Sequence, residues 1–280
     1  MKIVVTGAAG MLGSDVVERL KCSHEVVGVT RYDFDIIKEL DIRAYVAEAA
    51  PDWVIHCAAF TNVDGCEKEP DKAYLVNAEG ARNVAKACWG ASARMLFVST
   101  DYVYDGAKEV PYVETDAVNP LNVYGASKLR GEQEVLRVLP AALVVRTSWL
   151  FGIRGKNFVE AILSQVGVKD ELGVVDDQVG NPTYTPDLAD GVARLVEAGA
   201  AGTVHLSNEG ACSWFDFAKK ILELAGVKGV AVRPVSTEEL GRPAKRPAYS
   251  ALSKDKYHAV TGHRLRSWED ALADYLNWRK

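Results

Sequence analysis

The sequence predicts an α/β protein: a Rossmann-type doubly wound parallel sheet with a smaller C-terminal α/β substrate-binding domain. Three observations lead there. A short apolar run, Lys2 to Thr6, is followed at once by Gly7-Ala-Ala-Gly10-Met-Leu-Gly13 and then by an amphipathic stretch, Asp15 to Leu20. Apolar runs of strand length then alternate with stretches of helical periodicity as far as Trp149. Such alternation implies a parallel sheet covered by helices on both faces. Finally, Tyr124 and Lys128 stand four residues apart within one helical stretch.

Each element has its own reason. Lys2 to Thr6 reads as a short apolar strand. In the turn that follows, Gly7 permits a tight reversal, Gly10 lets the backbone approach a pyrophosphate, and Gly13 allows close packing of helix on strand. Met11 and Leu12 open the helix, whose positive N-terminus faces the phosphates. Further strands are expected at Glu25-Val29, Trp53-Cys57, Met95-Thr100 and Ala142-Thr147, and helices at Ile37-Ala49, Asp71-Trp89 and Leu121-Val138. Beyond Trp149 the regularity loosens. Glycine and proline cluster at Gly152-Gly155, Gly180-Pro182 and Arg242-Pro247, and helices are expected to begin near Pro186, Ser213 and Ser267. The expected division is a dinucleotide-binding domain over 1–150 and a mainly substrate-binding domain over 151–280, part of 183–206 returning to the first sheet. Phe215, Phe217 and Trp268 are expected in the core.

Composition narrows the function classes. At 280 residues and 48% hydrophobic, the chain can bury one large core or two unequal ones. Its 33 basic and 38 acidic side chains leave a net charge of -5 without a basic run, which argues against nucleic acid and anionic membrane as partners. Five cysteines with no C-x-x-C read as reduced thiols of a cytoplasmic protein, and the five histidines are scattered, so no metal site of His and Cys is expected. The glycine-interrupted start does not read as a signal peptide.

Tyr124-Gly-Ala-Ser-Lys128 carries the chemistry. The i, i+4 spacing puts phenol and ammonium on one helix face. A phenol titrates near about 10 and a lysine near about 10.4. A fixed cation beside the phenol is expected to draw it down towards the range of a working general acid or base. In isolation the pattern is a common surface pair; behind a strand, glycine turn and helix it gains meaning.

Seven ordered blocks then carry a resemblance: Thr6–Gly13, His56–Asp64, Ser99–Gly106, Pro120–Lys128, Arg146–Trp149, Asp177–Thr183, and Arg246-Pro247 with Ser250 and Leu252. Through them the chain resembles the extended short-chain dehydrogenase/reductases and, among these, the dTDP-4-dehydrorhamnose reductase family. The resemblance implies hydride transfer from a nicotinamide to the 4-keto group of a nucleotide sugar. It assigns Tyr124 as proton donor, Lys128 as its electrostatic partner and ribose ligand, and Thr100 as the hydroxyl that orients the carbonyl oxygen. Asp35 and Ile36 would lie against the adenine, Thr61 and Val63 near the sugar with Thr61 also beside the cofactor, and Trp149 along the sugar or nucleotide pocket. Asn77 matches a family asparagine, though a helical asparagine can also be a surface residue.

Other assignments rest on residue chemistry. Ala58 and Ala59, closing the third strand, are small enough for a dinucleotide to lie close. Arg31, at the end of the second strand, suits the extra phosphate of NADPH, whereas Asp33 stands near the position of an NAD-type acid; NADPH is preferred and NADH stays open. Arg246 is either a diphosphate ligand or a solvated loop residue. In some relatives acidic residues at a dimer interface carry magnesium, with Asp187 and Asp190 as nearby candidates; no metal site is assigned. Monomer and homodimer both stay open. Two further classes share the scaffold: another nucleotide-sugar epimerase or dehydratase, and a non-catalytic regulatory subunit like methionine adenosyltransferase β.

Overall fold

The structure, a computed structural model, describes residues 1–279. The first part of the chain contains β1 (Lys2–Thr6), α1 (Met11–Lys21), β2 (Glu25–Val29), α2 (Glu39–Ala49), β3 (Trp53–His56), α3 (Val63–Lys68) and α4 (Pro70–Tyr74). A π-helical turn, Leu75–Gly80, leads into α5 (Ala81–Gly90), followed by β4 (Arg94–Thr100), a 3-10 turn at Asp101–Val103, α6 (Val123–Val138) and β5 (Leu143–Thr147). The remainder holds β6 (Leu150–Phe151), α7 (Phe158–Leu163), β7 (Glu171–Val175), β8 (Val179–Gly180), β9 (Thr183–Tyr184), α8 (Thr185–Glu197) and β10 (Gly202–His205). It ends in β11 (Cys212–Ser213), α9 (Trp214–Leu224), β12 (Ala231–Val235), α10 (Thr237–Leu240), α11 (Asp255–Thr261) and α12 (Trp268–Trp278).

Six strands pair in the order β10-β5-β4-β3-β1-β2, and every pairing is parallel. The chain runs from β1 outward to β2 and then back past β1 to β3, so the order reverses there. Such a switch point opens a crevice at the carboxyl ends of the strands. Side chains alternate between the faces with period two. Ile3 and Val5 meet Val16 and Leu20 of α1 with Leu188 and Val192 of α8; Val4 meets Ile42 and Val46 of α2 with Val84 of α5. Burying each such aliphatic chain contributes about 1.5–3 kcal/mol. α8 thus returns to the first layer, and β10 closes the sheet beside β5.

A third cluster lies outside the sheet, built from Phe151, Tyr184, Phe217, Trp268, Leu272 and Tyr275. Phe217 and Trp268 are buried, but Phe215 is only half-buried, because its ring sits at the margin with the Lys219 ammonium 5.0 Å above it.

Three helix boundaries differ from the periodicity reading. α2 starts at Glu39 instead of Ile37, because Asp35 Oδ1 accepts the Ile37 N–H and Asn83 Nδ2 donates to the Ile36 and Ile37 carbonyls, holding a turn. α6 starts at Val123, because Asn122 Oδ1 accepts the Gly125 N–H at 2.7 Å as a cap. The expected Asp71-Trp89 helix is interrupted by the π turn, a single-turn widening that helical periodicity does not register. No helix among the described residues is long and apolar enough to cross a membrane.

Candidate active site

The glycine turn is shaped by contacts across the switch point. Gly7 has φ of +71°, and a Cβ there would lie 2.7 Å from the Ala58 nitrogen at the end of β3; a Cβ on Gly13 would lie 2.2 Å from the Gly7 carbonyl oxygen. Both positions therefore admit only glycine. The Gly10 N–H closes the turn on the Gly7 carbonyl at 2.9 Å. α1 begins with no side-chain cap, which leaves the N–H groups of Met11, Leu12 and Gly13 for a ligand. A dinucleotide pyrophosphate fits this arrangement of uncapped donors and close-packed backbone. The Leu12 side chain is buried in the core, so only its backbone can contribute, while Met11 reaches towards Gly152.

Ala58 and Ala59 are half-buried beyond β3, and Thr61 is exposed. Arg31 is exposed after the edge strand β2, its guanidinium 5.2 Å above the Tyr32 ring. Asp33 bends back on its own turn, where its carboxylate accepts from the Thr30 N–H at 2.7 Å and the Thr30 hydroxyl at 3.0 Å. These bonds hold its carboxyl below the usual range. Ile36 lies against Gly80, and Asp35 caps the turn described above.

α6 carries Tyr124, Lys128 and Glu132 at successive helical turns. Its start is fixed twice more: Val123 N–H donates to Glu67 Oε1 at 2.8 Å, and Asn122 Nδ2 donates to the Lys245 carbonyl at 2.7 Å. Tyr124 packs edge-on against Tyr102, with ring centres 6.1 Å apart. Thr100, the last residue of β4, is buried and engages Tyr124 by a side-chain hydrogen bond. Lys128 is 3% exposed, with Nζ 4.1 Å above the Phe97 ring.

Electrostatics here correct the expectation that Lys128 draws Tyr124 down. Burial first, and the Asp101 carboxyl second, push the phenol above its ordinary value, with the Thr100 bond opposing. Burial instead lowers Lys128, to about 7, against the pull of Glu132 and Cys57. A phenol held up in this way keeps its proton until a developing oxyanion claims it.

On the substrate side Val63 opens α3 and is half-buried. Trp149 has φ of 48°, strained for a bulky residue. One indole face stacks on Trp214 with centres 3.6 Å apart, and its Nε1 is buried without a partner. Arg246 is no solvated loop residue. Its Nη2 meets Asp64 Oδ1 at 3.0 Å and its Nη1 donates to the Ala244 carbonyl at 2.7 Å, while Arg242 Nη1 holds Asp64 Oδ2 at 3.0 Å. Asp187 binds Arg266, and Asp190 binds Arg19 and Arg194. Both carboxylates are thereby committed to arginines.

The fold thus brings Thr100, Tyr124 and Lys128 together, with Tyr102 and Arg246 beside them, and leaves Arg31 at the sheet edge. Asn77 is also corrected: it is buried in the π turn, where its Oδ1 accepts from the Phe60 N–H and its Nδ2 donates to the Phe60 carbonyl and Ser127 Oγ. It pins the end of β3 to the Tyr124 helix. Sequence reasoning missed Asp64, Asp101 with Ser250, and the Glu132–Arg146 pair. A signal existed for each: Asp64, Asp101, Arg146 and Ser250 sit inside the seven blocks, and Glu132 stands one further turn beyond Lys128.

The family model of the RmlD substrate binding domain matches residues 1–279. A Streptomyces niveus protein named dTDP-4-keto-6-deoxy-D-glucose reductase is 40% identical over 96% of this chain and 94% of its own. A dTDP-4-dehydrorhamnose reductase from Clostridium acetobutylicum superposes with a TM-score of 0.96 at 42% identity, covering 100% of this chain and 99% of its own. The Bacillus anthracis dTDP-4-dehydrorhamnose reductase, solved in complex with NADP, also gives 0.96, at 41% identity and 99% coverage of both chains.

Proposed function

We propose a function from one premise: this chain belongs to the RmlD substrate binding domain family. It reduces the 4-keto group of dTDP-4-dehydro-L-rhamnose to dTDP-L-rhamnose, with NADPH as reductant. The observation that carries this reading is the convergence of Thr100, Tyr124 and Lys128 at the carboxyl end of β4, beside the uncapped N-terminus of α1. Bound NADPH supplies the hydride. Tyr124 donates the proton to the carbonyl oxygen as charge builds there, Thr100 orients that oxygen, and Lys128 holds the nicotinamide ribose and the field around the phenol.

Residues 1–150 hold the dinucleotide, and 151–280 mainly hold the sugar nucleotide. Gly7, Gly10 and Gly13 cradle the pyrophosphate with the Met11 and Leu12 backbone. Asp35 and Ile36 receive the adenine, and Ala58, Ala59 and Thr61 flank the dinucleotide. Thr61, Val63, Trp149 and Arg246 receive the substrate, the buried Trp149 N–H and the Arg246 fork being unused or exchangeable donors. NADPH is favoured over NADH because Asp33 spends its carboxylate on Thr30 and leaves Arg31 exposed. The protein acts as a monomer or homodimer, and a cytoplasmic setting suits its five free cysteines.

A second sugar deserves an arm of the test, since the Streptomyces niveus relative is named for the 4-keto-6-deoxy-D-glucose substrate at 40% identity. Purified protein is incubated with NADPH and each dTDP-4-keto sugar while nicotinamide absorbance is followed. Faster loss with the L-rhamnose precursor is expected. Turnover of the D-glucose derivative alone would move the substrate, and no turnover of either would sink the reading.

A further inference from the structure

Asp101 begins the 3-10 turn directly after Thr100 and is 2% exposed. One carboxyl oxygen lies 3.0 Å from Thr100 Oγ1 and the other accepts from Ser250 Oγ at 2.6 Å. Thr100 Oγ1 also accepts the Tyr102 N–H at 3.1 Å and meets the Tyr124 phenol. A threonine hydroxyl has one hydrogen and two lone pairs, so these three partners and a substrate carbonyl cannot all be served at once. Tyr102 takes one lone pair permanently. If Asp101 is a carboxylate, the Thr100 hydrogen points at it. The second lone pair then receives the Tyr124 hydrogen, and both donors are turned away from the substrate. If Asp101 carries a proton, that proton fills the second lone pair instead. The Thr100 hydrogen then turns outward, and the Tyr124 hydrogen is released.

We propose that Asp101 works in its protonated form, as a positioning residue that turns the Thr100 hydroxyl towards the reacting carbonyl and frees the Tyr124 proton. The proposal rests on the ketoreductase reading. The surroundings agree with it. Burial raises Asp101 to about 7, with the Ser250 and Thr100 bonds and the backbone N–H groups of Asp101 and Tyr102 opposing. Among the described residues no cation pairs with Asp101. The titratable groups that interact with Asp101 are Tyr124 from α6 and Tyr102 from its own turn; Cys66 of α3 acts on Tyr124, and Arg246 of the loop at 242–247 acts on Tyr102 and is committed to Asp64. Below about pH 7 Asp101 holds its proton, and above it the proton is lost, so activity falls as pH rises through that value.

The test is kcat and KM against pH with NADPH and dTDP-4-dehydro-L-rhamnose, for the native chain and three variants. In Asp101→Asn an amide N–H replaces the acid proton at every pH. It should keep kcat within about threefold of native below pH 7 and lose the alkaline fall. Asp101→Ala has no donor and should lose about tenfold or more in kcat with KM little changed. Ser250→Ala removes a bond that favours the carboxylate, so the fall should move to higher pH. A structural role alone would leave the alkaline fall at its native pH in both the Asn and the Ser250 variants. The proposal is overturned if the Asn variant is as slow as the Ala variant, or if it keeps the native fall, which would then belong to Lys128. Should the Ala variant fail to fold, the Asn and Ser250 profiles decide. A native chain inactive on the keto sugar at every pH overturns the function and this inference together.

Discussion

Arg146 grips Glu132 through two parallel bonds, Nε to Oε1 at 2.9 Å and Nη2 to Oε2 at 2.6 Å, with both side chains buried beneath the helix that carries Tyr124. Ser99 Oγ donates to Glu132 Oε1, and Arg146 Nη1 donates to Tyr104 Oη, which lies 2.8 Å from His205 Nε2. One network therefore ties α6 to β4, β5 and β10. The pair lies on the same face as Lys128, and Glu132 is the main influence that opposes the downward shift of that ammonium.

Arg146→Met should destabilise the protein by about 3–5 kcal/mol, because it leaves the Glu132 carboxylate buried without its partner. Replacing both, as Glu132→Met with Arg146→Met, should recover much of that loss. Guanidinium unfolding of the single and double variants measures it. A single variant within about 1 kcal/mol of native would mean the pair is solvated in solution.

Tyr124→Phe should lower kcat by far more than tenfold while NADPH affinity stays within about twofold, since only the acid is removed. Retention of more than about a tenth of native kcat, a loss below about 1.4 kcal/mol, would remove Tyr124 from the role of acid.

Lys128→Met should abolish activity and yet stabilise the fold at neutral pH. The folded ammonium is held near about 7 by burial, far below the unfolded value of about 10.4. The unfolded chain therefore binds more protons between these limits, and native stability rises with pH across that window. Methionine should gain at least about 1 kcal/mol at pH 7 and below, the gain shrinking towards pH 10. Unfolding midpoints at three pH values check the sign; a variant less stable than native at pH 7 would show that Lys128 is compensated in the fold.

Arg246→Ala should raise KM for the sugar nucleotide by about one to two orders of magnitude, the loss of a charge-assisted contact worth roughly 1.5–3 kcal/mol. NADPH affinity should stay within about twofold. The Asp64 pairing adds a second arm, because a diphosphate bound at Arg246 would have to displace that carboxylate. Asp64→Asn should therefore lower KM provided the loop keeps its place. If KM and the Kd for NADPH weaken together in Arg246→Ala, the loop belongs to general folding.

Much of this protein was legible in the sequence. Local patterns carry their own geometry: an apolar run with glycines at 7, 10 and 13 makes strand, turn and helix, and Tyr124 with Lys128 shares a face because helical spacing alone requires it. The family blocks followed from the same continuous stretches. What only the tertiary structure decided are the relationships between distant segments and the sign of the electrostatics. Asn77 matched a family asparagine but could equally be a surface residue of its helix; a π turn faces it towards Phe60 and Ser127, fifty residues from the latter. Asp64 was not seen to meet Arg246, nor Asp101 to meet Ser250, because those pairs are separated by 182 and 149 positions. Lys128 was expected to tune Tyr124, and instead both are shifted mainly by burial. Proximity along the chain dictates secondary structure, but a charge responds to the water it has lost, and that loss depends on every segment packed around it.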